Sequence, residues 1–122
     1  MIKVRPDILH SNMIIDLKTC QSAVTRRYLF SMLEHGYHIQ GAMIREGLNK
    51  LRGFDIPNVI NICIEKTYPY SIGIKIISEK ALEAGKAEFK ALLVALKHAI
   101  RYNEFSDLDI ETIELPEWYY AR

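Results

Sequence analysis

A chain of 122 residues, 49% hydrophobic and 25% charged, has the composition of one globular domain able to bury roughly two-thirds of its unfolded surface. A net charge of +1 excludes a broadly basic nucleic-acid coat, while leaving room for a local positive groove. No run approaches the roughly 20 apolar residues of a membrane span, the start lacks a signal peptide's apolar region, and Cys20 and Cys63 show neither metal-finger spacing nor an extracellular pattern, so the cytoplasm is the expected compartment.

Residues 2–9 are β-favouring, His10-Ser11-Asn12 supplies turn chemistry, and residues 13–18 are β-favouring again, which predicts an antiparallel hairpin. With Ser11-Asn12 as the turn, Leu9 pairs with Ile14 and Asp7 falls opposite Asp16, roughly 5 Å apart between Cβ atoms. Side chains alternate along a strand, so Asp16 and Lys18 share a face while Leu17 points away. Carboxylates brought this close share a proton, pair with a cation or bind a metal. Mg²⁺ suits one or two carboxylates completed by water, and Mn²⁺ is its expected substitute. Ile14, Ile15 and Leu17 make this a strand of the buried kind, yet it carries two charged residues, which are rare in cores unless paired or functional. The bland alternative is a solvated hairpin face, and a one-residue slip in register would separate the groups.

Further along, residues 22–35 read as a helix with Ala23, Tyr28, Leu29, Met32 and Leu33 on its apolar side, broken by Gly36. A second helix, residues 37–51, turns Ile39, Ala42, Met43, Leu48 and Leu51 inward and stops at Gly53, with Gln40 one residue off the stripe. Residues 59–65 and 70–77 alternate as two strands joined around Thr67-Tyr68-Pro69, with Ile60, Ile62 and Ile64 on one face and Asn61, Cys63 and Glu65 on the other; Ile72, Ile74 and Ile76 repeat the pattern. Each strand is expected to pack one face on helices. Gly73 marks a close approach, Cys63 is expected to be an inert core thiol, and Glu65 is within reach of the active face but expected in a surface salt bridge. Ser78 caps a long helix to about Asn103, whose inward stripe is Leu82, Gly85, Phe89, Leu92, Leu93, Leu96 and Ile100. Residues 104–114 form an acidic surface connection, and Trp118, Tyr119 and Tyr120 an aromatic tail expected to pack back on the core. Lys3, Arg5 and Lys18, with Arg26, Arg27, Arg45, Lys50 and Arg52 on the helices, are candidates for a phosphate track.

Four pieces of the chain, Arg5-Pro6-Asp7, Ile15-Asp16-Leu17-Lys18-Thr19, Gly36-Tyr37-His38-Ile39-Gln40 and Leu115-Pro116-Glu117-Trp118, together resemble the PD-(D/E)xK nuclease superfamily, specifically the exonuclease VIII (RecE-type) exodeoxyribonucleases of phages and prophages. The resemblance runs from about residue 3 to residue 118. It implies a metal-dependent deoxyribonuclease for DNA recombination, with Asp7, Asp16 and the Leu17 carbonyl on Mg²⁺, Lys18 and Gln40 catalytic, and Arg5, Tyr37 and His38 on the DNA. It also implies linear duplex ends as substrate, a ring-like homo-oligomer and a single-strand annealing protein as partner. Two departures stand out. The tyrosine that often lies four residues after the glutamine is Ile44 here, and the upstream helix and strand that carry another acidic or histidine residue in such enzymes have no counterpart. The expected fold is therefore α/β (or α+β), a restriction-endonuclease-like core with a central mixed sheet flanked by helices but lacking its first helix and strand. Residues 1–122 would then be a single, truncated nuclease domain. The runner-up is an inactive remnant that binds DNA or a partner protein, and a third reading is a structural oligomerisation module.

Overall fold

The computed structural model describes residues 1–53, 55–105 and 110–121. Four strands form one sheet in the order β1 (Ile8–Leu9), β2 (Met13–Cys20), β3 (Asn58–Glu65) and β4 (Ile72–Ile76). β1 and β2 are antiparallel, β2 and β3 parallel, β3 and β4 antiparallel, so the sheet is mixed. Between the parallel strands run α1 (Thr25–His35) and α2 (Tyr37–Arg52); α3 (Glu79–Tyr102) follows β4, and a short α4 (Glu117–Tyr120) comes last. The hairpin has the predicted register, Leu9 against Ile14. Its first strand is shorter than residues 2–9, starting only at Ile8, two residues after Pro6, which has no N–H for the ladder.

Glycines separate the helices. Gly36 (φ 66°) and Gly53 (φ 70°) sit in the left-handed region that ends a helix without a Cβ clash. Asn49 then ties the end of α2 to the segment leading into β3, its Oδ1 accepting the Ile56 N–H at 2.8 Å. Ser78 caps α3, its Oγ accepting the Ala81 N–H at 3.2 Å.

The core lies on one side of the sheet. Ile14 and Val59 meet Ala42, Ile44 and Leu48 of α2 and Leu82 of α3, while Cys20 and Cys63 meet Tyr28 of α1. Both cysteines are free and buried. The helices therefore cover the face of Asn61 and Cys63, and the isoleucine face of β3 and β4 is the open one. On β4, Ile72, Ile74 and Ile76 are 65–68% exposed; Leu17 and Ile8 continue the same face with 49% and 44%.

Several expectations change. The inner side of α2 is His38, Gly41, Ala42, Ile44 and Leu48, while Leu51 is exposed. The phase follows two glycines: a Cβ on Gly85 would lie 2.5 Å from the His38 carbonyl oxygen, and one on Gly41 2.9 Å from Val59. The helices cross where side chains are absent, and that crossing turns His38 inward. On α1 only Tyr28 is buried, with Leu29 and Leu33 exposed. On α3 only Leu82 and Gly85 are buried, since the shorter α2 supports its first half alone; Leu92, Leu96 and Ile100 project outward. Trp118, Tyr119 and Tyr120 are exposed, so the tail is not buried in the core. Among the described residues Glu65 forms no surface salt bridge: its Oε1 accepts the Ala23 N–H at 2.8 Å, closing the turn after β2. Gly73 is a close approach as expected, with Cys63 Sγ and the Ala23 carbonyl oxygen on its Cβ side. The acidic connection of residues 104–114 lies partly outside the described residues.

Candidate active site

β2 presents Asp16 and Lys18 to the helix-covered face, and the hairpin register carries Asp7 to the position opposite Asp16. Asp7 reaches over the strand, its Oδ2 accepting the Leu17 N–H at 2.9 Å. That backbone bond holds its carboxyl below the usual carboxylate range, with smaller help from Lys18 and Arg5. Asp16 shifts the opposite way. It is 7% exposed, and burial raises its carboxyl more than the adjacent Lys18 lowers it; nearby Asp7 adds to the rise.

Lys18 is held from three directions. Its ammonium pairs with Asp16 Oδ2, donates to Gln40 Oε1 at 2.7 Å, and stands 4.3 Å from the centroid of the Tyr37 ring. Gln40 and Tyr37 come from the first turn of α2, which Gly36 starts directly above the strand. Sequence positions 22 residues apart thus share one hydrogen bond.

The remaining candidates lie as follows. Leu17 contributes its N–H to Asp7 and turns its side chain to the open face. Arg5 is exposed beside Asp7. His38 is not brought to the site: it is buried between α2 and α3, with Nε2 3.5 Å from Glu88 Oε1. Arg26 and Arg27 remain exposed on α1, whereas Arg45 is clasped by Glu79 at 2.7 and 2.8 Å and Lys50 lies 3.9 Å from Glu46, so those two are engaged with carboxylates.

Sequence reasoning missed one pair. Asn61 stands beside Asp16 in the parallel register, and its Nδ2 donates to the Tyr28 hydroxyl at 2.9 Å in the buried layer under the site. The available signal was an asparagine alternating with isoleucines inside an apolar strand.

The donor set fits a hard cation. Asp16 Oδ2 is buried and ion-paired with Lys18, and its carboxyl lies beside that of Asp7, so two carboxylates face one small space. Asp7 and Asp16 with water are a ligand set that Mg²⁺ accepts. Among the described residues no group of three or more His, Cys, Asp or Glu gathers to hold an ion.

A mixed sheet with opposed acids, a lysine two residues beyond the second acid and a glutamine on the second helix after that strand defines a PD-(D/E)xK-like α/β domain. The chain belongs to the family described as "PDDEXK-like domain of unknown function (DUF3799)", whose model matches residues 1–114. Its fold is similar to the crystal structure of a "putative exonuclease" from Eubacterium rectale, with a TM-score of 0.58 and 18% sequence identity over 88% of this chain. The match covers 48% of that chain, so the present chain spans about half its length. No curated protein matches in sequence. Among the described residues no helix is long and apolar enough to cross a membrane.

Proposed function

We propose that the chain is a metal-dependent deoxyribonuclease module of the exonuclease VIII type, hydrolysing phosphodiester bonds at linear duplex ends. One observation carries the reading: the Lys18 ammonium is bound at once to Asp16 of the strand and Gln40 of the helix, next to Asp7. A lysine desolvated in this way, fixed by an amide and an aromatic face, is suited to stabilise charge on a phosphate or to orient a water.

In this reading Asp7 and Asp16, with the Leu17 carbonyl, hold Mg²⁺. The bound ion supplies a more acidic water and neutralises charge on the phosphate oxygens. Asp7, whose carboxyl is held low, would anchor the cation, and Asp16, whose ionisation burial opposes, would be held in its charged form by it. Gln40 positions Lys18, the Tyr37 ring flanks the ammonium, and Arg5 offers an exposed charge to the DNA backbone. Ring assembly and a single-strand annealing partner belong to the same reading, as does a role in phage or prophage recombination.

The test is Mg²⁺- or Mn²⁺-dependent release of nucleotides from linear duplex DNA. The wild type releases them, and Lys18→Ala lowers the rate at least about 100-fold while circular dichroism stays unchanged. A second reading, a silent relative that binds DNA or protein, is favoured by the acid count, since the cluster holds two carboxylates. DNA retention without cleavage by the wild type would select it.

A further inference from the structure

We propose that the cleft between α1 and the β4–α3 junction binds a nucleotide, with its phosphate on Lys75 and Thr25 and its base against the apolar side of α1. The cleft has a volume of about 410 Å³, within the range of small-ligand sites. Thr25, Tyr28, Leu29, Met32, Lys75 and Ser78 line it, and among the described lining residues there is one cation and no carboxylate.

Lys75 sets the chemistry. It lies on the edge strand β4, whose isoleucines face outward, so alternation sends it to the helix-covered face. There it stands in one row with Asn61 and Asp16, two strand spacings or about 10 Å from the acid. Its side chain is half-buried, and its ammonium donates to the Thr25 hydroxyl at 2.9 Å. That partner is neutral, and among the described residues no carboxylate pairs with Lys75. A covered ammonium normally has a counter-charge. An ammonium has three N–H donors, of which Thr25 takes one; the Thr25 and Ser78 hydroxyls, accepting from Lys75 and the Ala81 N–H, keep their own protons to donate. These donors meet in one cleft, and a phosphate group supplies the charged acceptors that satisfy them. Arg26 and Arg27, exposed on the same turn of α1 as Thr25, add positive potential there. One and two turns further along, Leu29 and Met32 fall on the Thr25 side of the helix and give an apolar wall suited to a base. Inorganic phosphate would use the donors alone, whereas a nucleotide uses both. The anion site stands independently of the nuclease reading; the choice of a nucleotide among organic phosphates rests on that reading.

Calorimetric titration of the full chain with deoxyadenosine monophosphate in EDTA tests it. The wild type should bind saturably, Lys75→Met and Thr25→Val should each raise the dissociation constant at least about 10-fold, and Lys18→Ala should leave it unchanged. No saturable binding, inorganic phosphate held as tightly as the nucleotide, or binding lost in Lys18→Ala but kept in Lys75→Met overturns the proposal. Should Lys75→Met fail to fold by circular dichroism, Thr25→Val and the cleft-filling Leu29→Trp decide, and binding retained by both overturns it. A short single-stranded oligonucleotide that displaces the monophosphate supports the cleft as a site for a strand of DNA; binding of the monophosphate without such displacement supports it as a site for the free nucleotide. Since the titration needs neither metal nor cleavage, an inactive enzyme with a working cleft is told apart from an active one without it.

Discussion

Asn61 and Tyr28 brace the site from beneath. Asn61 is 2% exposed, and the Tyr28 hydroxyl is the acceptor its amide meets. Tyr28→Phe should therefore leave a buried donor unpaired and lower stability by about 1–3 kcal/mol, read from urea unfolding. The Tyr28 hydroxyl is pushed up to about 12, chiefly by burial, so it stays neutral and the loss should be constant across neutral pH. At this scale the sequence was informative where chemistry is local. Asp7, Asp16 and Lys18 could be brought together from turn length and alternation alone, because a hairpin's register follows from both. His38 was not legible in the same way. Its burial follows from α2 crossing α3 at glycines, and a residue without a side chain leaves no mark in a hydrophobic stripe.

The crossing of α2 and α3 makes a sharp prediction for the elements. Gly85→Ala would place a Cβ 2.5 Å from the His38 carbonyl oxygen, and since that neighbour is backbone, the helices must separate. The expected loss is about 1–3 kcal/mol in denaturant unfolding. A second link between these helices is the two-pronged Arg45–Glu79 pair. Arg45 holds the Glu79 carboxyl below its ordinary 4.5. A depressed carboxyl stabilises the fold above the unfolded value and loses that contribution as pH falls through the folded one. Arg45→Gln should thus cost about 0.5–1 kcal/mol near neutral pH, allowing for solvent screening of the exposed Glu79, and the difference from wild type should vanish under acid. Thermal unfolding of both proteins across pH measures it. The apolar stripe of α3 was plain in the sequence over its whole length, but how far it is used depends on the length of α2, which supports only the first half.

For the whole molecule, Mn²⁺ should raise global stability if Asp7 and Asp16 bind it: at a concentration 100-fold above the dissociation constant the gain is about 2.7 kcal/mol, visible as a higher melting temperature. Asp16→Ala should abolish the metal-dependent rise, and equal rises in both proteins would refute metal binding at this site. The mixed sheet and its helices were legible as a class, because alternation and helical spacing name the elements. Which sheet face the helices take was not. That choice follows the path of the α1–α2 connection from β2 to β3, a property of the route rather than of alternation, and it puts Asn61 and Cys63 inside while six isoleucines face out. The same route has a kinetic consequence. β2 and β3 align residues about 45 positions apart, Met13 with Asn58 through Cys20 with Glu65, and such distant closure is entropically expensive until both helices have formed. The acids and the lysine meet through the local hairpin, whereas Asn61 of β3 should join them late, in the same cooperative event that completes the domain.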